Sequence, residues 1–432
     1  LHNKSRKRFL KKIKNRGVEM KKIITIIAVL ALPLICLAQQ YTLENLINIG
    51  LEKSYAIQEE NNNKLDASSS LRSSYYGILP SLNATYTNGK SFDASDTSWN
   101  DAATLSLSKD ISLNEPTFYN IYASINNMKN AKLSLDETRK QIAYNIFNKY
   151  LSVLEAQETW EILRNNLELQ KKINQQISIQ YESGDKSLMD FKQSQIDLID
   201  YEIAVHEATN SLSTARKDLF VYLGIDDKGY DFVEPELTIG IEDTVFVTNN
   251  VLQQQINSMK NSKIYLLQNA MNFLPSVSLG YSLAHTDYDE VSDFASYLRT
   301  DNALSLSISW NIFGLLDRYE TYNTQKRGYK LQQRYFDYSQ NNYAVSLQNS
   351  QNDFKTIRRS YDLYAEKLAL SEENLNMAQD QFRLGMISLL ELDDKKLDYQ
   401  NTQLSHMQKH YELLKKQEEI NLLNSDLILG KW

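Results

Sequence analysis

Four short stretches of the chain alternate apolar and polar residues with period two. Leu82, Ala84 and Tyr86 alternate with Ser81, Asn83, Thr85 and Thr87, and Leu105 and Leu107 with Ser106 and Ser108. Val277, Leu279, Tyr281 and Leu283 alternate with Ser276, Ser278, Gly280 and Ser282. Leu304, Leu306, Ile308, Trp310 and Ile312 alternate with Ser305, Ser307, Ser309 and Asn311. Successive side chains of a strand point to opposite faces, so each stretch predicts a strand with one apolar and one polar face. Elsewhere the apolar residues recur at steps of three and four, as in Ile142, Ile146, Tyr150 and Leu154, then Leu163, Leu167, Ile173 and Ile177. That is the seam of a coiled-coil-like helix. It lies in a run from about Thr117 to Ser183 without Pro or Gly, and a second run from about Asp317 to Leu384 holds only Gly328. At 1.5 Å per residue each run is a helix roughly 100 Å long, too long for a globular domain. Shorter helices are expected from a Thr42 cap to about Tyr76, ended by Leu79-Pro80, and from about Asn249 to Phe273.

The elements occur twice. Gln180-Tyr181-Glu182-Ser183-Gly184-Asp185-Lys186-Ser187-Leu188-Met189-Asp190 returns as Gln381-Phe382-Arg383-Leu384-Gly385-Met386-Ile387-Ser388-Leu389-Leu390-Glu391. Leu79-Pro80-Ser81 returns as Leu274-Pro275-Ser276, Leu105-Ser106-Leu107-Ser108 as Leu306-Ser307-Ile308-Ser309, and Leu223-Gly224 as Leu429-Gly430. Four matches in one order define a tandem repeat, each copy reading helix, strand, strand, long helix, helix. The copies run roughly 41–224 and 248–432, with an insertion between the two strands of the second. As domains the divisions are 1–38, an N-terminal extension and signal peptide; 39–240, the first repeat with a linker at 225–240; and 241–432, the second repeat.

The leader changes the charge balance. Met20-Lys21-Lys22, the apolar run Ile23 to Leu37 and the small-residue site Cys36-Leu37-Ala38 read as an export signal cut after Ala38, with Met20 the expected start. The apolar run is too short to span a bilayer; lipid attachment at Cys36 is the weaker alternative, because Ile35 before it is bulky. Residues 1–38 carry ten Lys/Arg and one Glu, so the whole-chain charge of -7 becomes -7 - 9 = -16 after cleavage. An acidic, Cys-free exported chain is a poor partner for nucleic acid or an anionic surface. Thirteen Gly in 432 residues argue against Gly-rich nucleotide-binding folds. The polar strand faces, built of Ser, Thr, Asn and Gly almost without charge, suit a wet lumen with lipid on the other side; a soluble sandwich would show Lys and Glu there.

Ser388-x-x-Glu391 is a capping box, and Ser187-x-x-Asp190 its aspartate version. Gly184 and Gly385 just before them end the long helices, so each long helix turns back through a tight hairpin. Four strands cannot close a transmembrane barrel, and an open edge cannot face lipid, so several chains must contribute. No nucleotide-binding, metalloprotease, serine-hydrolase or Cys-x-x-Cys motif is present, and the sequence implies no cofactor and no enzyme. His406 and His410 share one helical face, where a polar coiled-coil surface explains them more simply than a metal site.

Over 41–432 the chain resembles the TolC-like outer membrane efflux proteins. The resemblance rests on the repeated Tyr/Phe-x-x-Gly-x-x-Ser-Leu-x-Asp/Glu turns, the Leu-Pro-Ser strand starts and Trp310-Asn311-Ile312-Phe313-Gly314 closing a strand. It implies a mainly α fold with a β-barrel contribution. Long helical hairpins form an α-barrel tunnel in the periplasm, and four transmembrane strands per chain build, in a homotrimer, a 12-stranded barrel among outer-membrane lipid. It also implies a passive exit duct of a tripartite efflux or type I secretion system, served by an inner-membrane pump and a periplasmic adaptor. By position, Glu391 and Asp394 correspond to acidic rings at the tunnel tip, with capping alone the blander role for Glu391. Asp190 and Phe382 correspond to positions that hold the tip closed. Ile387 stands where some members carry a locking Arg; Lys186 and Arg383 are the candidate substitutes. The rival reading is an exported coiled-coil spacer or adaptor without a channel.

Overall fold

The computed structural model describes residues 40–432 apart from 91–98, 111–114, 236, 238, 242–245, 247 and 288–300. The export signal over 1–38 and the insertion between the second pair of strands lie outside the described residues. Helices α1 (Leu43–Lys53) and α2 (Tyr55–Tyr76) lead into strands β1 (Ser81–Lys90) and β2 (Trp99–Asp110). A helical hairpin follows, α3 (Pro116–Glu182) and α4 (Leu188–Leu223). The plan then repeats as α5 (Asn250–Met271), β3 (Ser276–Asp287), β4 (Asp301–Ser309), α6 (Gly314–Arg383) and α7 (Leu389–Leu423), closed by a short 3-10 turn at Ile428–Gly430.

α3 and α6 have 67 and 70 residues, and at 1.5 Å rise each spans about 100 Å. The eight seam residues from Ile142 to Ile177 are all buried in the structure. The first helix departs from expectation. It breaks at Ser54, whose backbone is extended (φ -59, ψ 124) while its N–H still donates to the Gly50 carbonyl. Thr42 caps α1 as expected. α1 lies flat on the core through Leu43, Leu46, Ile47 and Gly50. A Cβ on Gly50 would sit 2.2 Å from Ile146 Cδ1, so the helix is pressed onto α3 there. α2 buries only Ile57. The two stretches thus answer to different surfaces, and no Pro or Gly marks the joint. The last strand also stops at Ser309, short of the expected Trp310 and Ile312. Trp310 instead donates its indole N–H to the Phe273 carbonyl at 3.2 Å.

The four strands form one antiparallel sheet in the order β1-β2-β3-β4. The central β2–β3 pair, with Leu107 opposite Tyr281 and Ser108 opposite Gly280, joins the two repeats. Ser81 opposes Ser108 in the first repeat and Ser276 opposes Ser309 in the second, each pair with Oγ atoms 2.7 Å apart. Register puts Leu82, Leu107, Tyr281 and Leu304 in one row across the sheet, with Leu105, Leu279, Leu306 and Ile308 on the same face. That face is exposed, Leu82 to 66% and Leu304, Leu306 and Ile308 to 75%, 67% and 68%. The opposite face carries Asn83, Thr85, Ser106, Ser278, Ser305 and Ser307.

The largest core lies midway along the helices, where Leu46, Ile47, Ile146, Phe147, Leu219, Phe220 and Phe232 surround Tyr150. The segment after α4 is held by Arg216, which donates two bonds to Asp227 at 2.7 and 2.8 Å and lies over the Phe232 ring. The Tyr150 hydroxyl donates to the Tyr41 carbonyl at 2.9 Å and accepts the Val233 N–H at 3.1 Å. Burial pushes its pKa up to about 12. About 30 Å along α3 toward the sheet, an asparagine ladder sets α5 against α3: Asn126 donates to Asn261 at 2.7 Å, Asn261 to Asn127 at 2.8 Å, and Asn257 to Asn130 at 2.9 Å. Amide pairs of this kind reward one register and penalise slips that leave them unpaired.

Tyr150→Phe keeps the packing and strips these bonds from buried backbone groups. Thermal unfolding of the purified protein is expected to show a loss of about 1–3 kcal/mol.

Candidate functional site

The far ends of the long helices, opposite the sheet, carry the residues singled out by the repeat. Both turns are built alike. Gly184 and Gly385 have φ of +85 and +75, the left-handed region that a side chain strains. Each closes a two-bond helix end. Gly184 N–H donates to Tyr181 and Asp185 N–H to Gln180, while Gly385 N–H donates to Phe382 and Met386 N–H to Gln381. The next helices start at complete capping boxes. Ser187 Oγ accepts from the Asp190 N–H at 3.1 Å, and the Asp190 carboxylate accepts the Ser187 N–H at 3.1 Å. Ser388 and Glu391 repeat this at 3.3 and 2.7 Å. The donors of Ser388 hold the Glu391 carboxyl below its usual range. Both helices thus begin with a carboxylate at the positive end of the helix dipole.

The second turn is fixed to the first repeat by apolar packing. Phe382 is buried with Ile173, Ile177, Leu375, Ala378, Leu389 and Leu392. The Lys186 ammonium lies over its ring at 4.6 Å, tying the first turn to the second. Arg383 does not cross: it pairs with Asp380 on its own helix at 3.0 Å, and both are largely exposed. Ile387 packs against the same apolar cluster. Glu391 and Asp394 are both exposed and both line one open groove of about 760 Å³, together with Met377, Gln381, Leu390 and Leu397. Asp394 pairs with its neighbour Lys395 at 2.9 Å. Both histidines pack on Tyr361, His406 with ring centroids 4.7 Å apart and His410 5.8 Å, and His410 Nε2 also lies 3.3 Å from Glu234. Burial and the neighbouring His410 lower the His406 pKa. Among the described residues no group of three potential metal ligands forms.

A charged cluster just behind the groove escaped the sequence reading. Lys396 is 3% exposed. Its ammonium bonds to Asp393 at 2.9 Å, to the Gln170 carbonyl oxygen of α3, and lies 5.1 Å from the Tyr201 ring of α4. Asp197 of α4 stands beside Asp393, and burial together with that carboxylate raises its pKa. The sequence does carry a signal: Leu389, Leu392, Lys396 and Tyr399 step by three, four and three, so Lys396 occupies a seam position that apolar residues normally fill.

Residues 48–225, almost the whole first repeat, match the family model described as outer membrane efflux protein. The first repeat is thus similar to the outer membrane efflux proteins, and the described chain has a TolC-like fold. Solved structures repeat the architecture over nearly its full described length. The CmeC outer membrane channel of Campylobacter jejuni is 15% identical, with a TM-score of 0.77 over 90% of this chain and 87% of that one. The outer membrane protein VceC of Vibrio cholerae is 12% identical, with a TM-score of 0.78 over 90% and 96%. The open state of the MtrE outer membrane channel of Neisseria gonorrhoeae is 15% identical, with a TM-score of 0.75 over 90% and 88%. No curated protein sequence matches the chain. The matched family is one of outer-membrane channels, and both comparisons support the outer membrane as the chain's location. Among the described residues no helix is long and apolar enough to cross a membrane.

Gly385→Ala forces a Cβ into a left-handed backbone and Ser388→Ala deletes a helix cap. Each is expected to lower stability by about 1 kcal/mol and to speed hydrogen exchange at residues 386–392, with exchange at the asparagine ladder unchanged.

Proposed function

We propose that three copies of this chain form an outer-membrane channel whose helical part is the exit duct of a tripartite efflux or type I secretion system. The observation that carries the reading is the four-stranded sheet, exposed and apolar through the middle of one face, with two edges that pair with no further strand among the described residues. Backbone groups on such edges cannot be left in lipid, and each copy's β4 offers an edge to the next copy's β1. Three four-stranded sheets give 3 × 4 = 12 strands, enough to enclose a water-filled lumen lined by the Ser, Thr and Asn face. The long helices support the same assembly. α6 exposes Leu331, Tyr338 and Val345, and further on Leu363, Leu370 and Met377, each set spaced by seven residues. A heptad stripe with nothing on it in the protomer suits a neighbouring helix.

In this reading the duct is passive. A pump in the inner membrane supplies the energy, and a periplasmic adaptor joins pump to duct at the hairpin tips. Glu391 and Asp394, exposed on one face of α7, are the residues proposed to ring the pore. Asp190, Ser187, Gly184, Ser388, Gly385 and Phe382 shape the turns that hold them. Three copies of each carboxylate around one axis attract cations and bind divalent ions. Within the protomer, capping keeps Glu391 ionised, which favours the same role.

Two measurements test the reading. The protein extracted from outer membranes is expected to have the native mass of a trimer in detergent; a monomer soluble without detergent sinks the channel and favours an exported spacer. In planar bilayers, divalent cations are expected to block the wild-type channel, and replacing Glu391 and Asp394 together by Ala should abolish the block. Persistent block removes these residues from the pore.

A further inference from the structure

We infer that Lys396 is a positioning residue for the proposed gate: its buried ammonium fixes the rotation of α7 against the first repeat, so that Glu391 and Asp394 face away from it. This rests on the channel reading above.

The geometry is specific. At about 100° per residue, Asp394 lies about 200° around α7 from Lys396, whereas Glu391 and Asp394 lie only about 60° apart. Anchoring Lys396 inward therefore turns both carboxylates outward, as their exposure and shared groove show. The anchor joins three helices and both repeats. Lys396 and Asp393 come from α7, Gln170 from α3, and Tyr201 and Asp197 from α4. Gln193 of α4 donates to Asp197 at 2.8 Å. Lys396 and Gln170 are 3% and 0% exposed, so the ammonium has exchanged its water for these partners. An apolar residue at this seam position would pack without preferring one rotation so strongly. A buried cation tolerates only the rotation that supplies its acceptors, because any other leaves it unpaired.

The same cluster responds to pH. The groups facing the ammonium are Asp393 from its own helix, Asp197 and Tyr201 from α4, and neutral Gln170 from α3. One cation serves two carboxylates, and burial and Asp393 raise the Asp197 pKa. Parting the repeats would return Asp197 to water and lower its pKa again, releasing a proton. Acid below the raised value therefore stabilises the contact between repeats, and that gain is lost as pH rises through it.

The test uses the full exported protein in planar bilayers, with trimer mass measured in detergent. Lys396→Met keeps the stem and deletes the charge. It is expected to raise open probability about tenfold or more and to weaken divalent block, because the gate face is no longer held. Asp197→Asn mimics the protonated acid. It is expected to move the other way, lowering open probability at neutral pH and flattening the fall in opening that acid produces in the wild type. A merely loosened fold would open both variants alike. If Lys396→Met does not assemble, Asp197→Asn still decides, since an unchanged pH profile overturns the inference. A wild type that conducts while Lys396→Met gates and blocks as it does overturns the inference alone. A wild type that forms no pore overturns the channel reading, and the inference with it.

Discussion

The two edges of the four-stranded sheet set the constraint from which the rest of the molecule follows. Among the described residues β1 and β4 each pair with a strand on one side only, yet exposed apolar residues run across the middle of one face. In water an edge strand costs little, because solvent satisfies its amides. In hydrocarbon each free amide or carbonyl costs several kcal/mol. A sheet of this kind is stable only as part of a closed ring, and closure needs copies. In the proposed assembly the helices also pack side by side, which would cover the heptad stripe that α6 exposes.

The two repeats share a plan but divide the labour. α3 is the buried spine, with its seam sunk among α1, α4, α5 and α7, whereas α6 is exposed along most of its length. The spine also collects both ends of the described chain. Tyr41 reaches it through Tyr150, and the last residues return through the Lys431–Glu44 ion pair and the Trp432 bond to Asn48. Residues after α4 cross the same region through Phe232 and Val233. The equatorial core thus braces the long helices at their middle. That leaves the second hairpin joined to the first near the tip by two local devices, the apolar cluster around Phe382 and the polar one around Lys396.

How much of this the sequence discloses depends on periodicity. Strand faces, long-helix lengths, the Gly turns and both capping boxes are legible because each is a local pattern with a local cause. The Ser54 break is not, since it arises where α1 must lie on the core while α2 runs beside α3, and no residue at the joint demands it. Trp310 reads as strand because it continues the alternation, but its indole finds the Phe273 carbonyl instead. At the tip, the resemblance offered Lys186 and Arg383 equally as cross-links. Arg383 finds Asp380 one turn away, and only Lys186 crosses. The Lys396 cluster draws on three helices, with Gln170 and Lys396 separated by 226 residues along the chain, and no one-dimensional spacing brings Gln170, Asp197 and Lys396 together.

In the proposed channel one set of tip residues would serve both folding and transport. A capping carboxylate must lie at a helix start, exposed, ionised and fixed in direction. A carboxylate that lines a pore needs the same four properties. Glu391 acquires them from Ser388 before any neighbour arrives, so the chain need not order a flexible side chain at the moment of assembly. Crowding three such groups around an axis would push their pKa values up, and the capping donors oppose that push. The second carboxylate, Asp394, has no cap and leans on Lys395. Its direction is therefore set by the rotation of α7 as a whole, and that rotation is held from the opposite face of the helix, where Lys396 is buried.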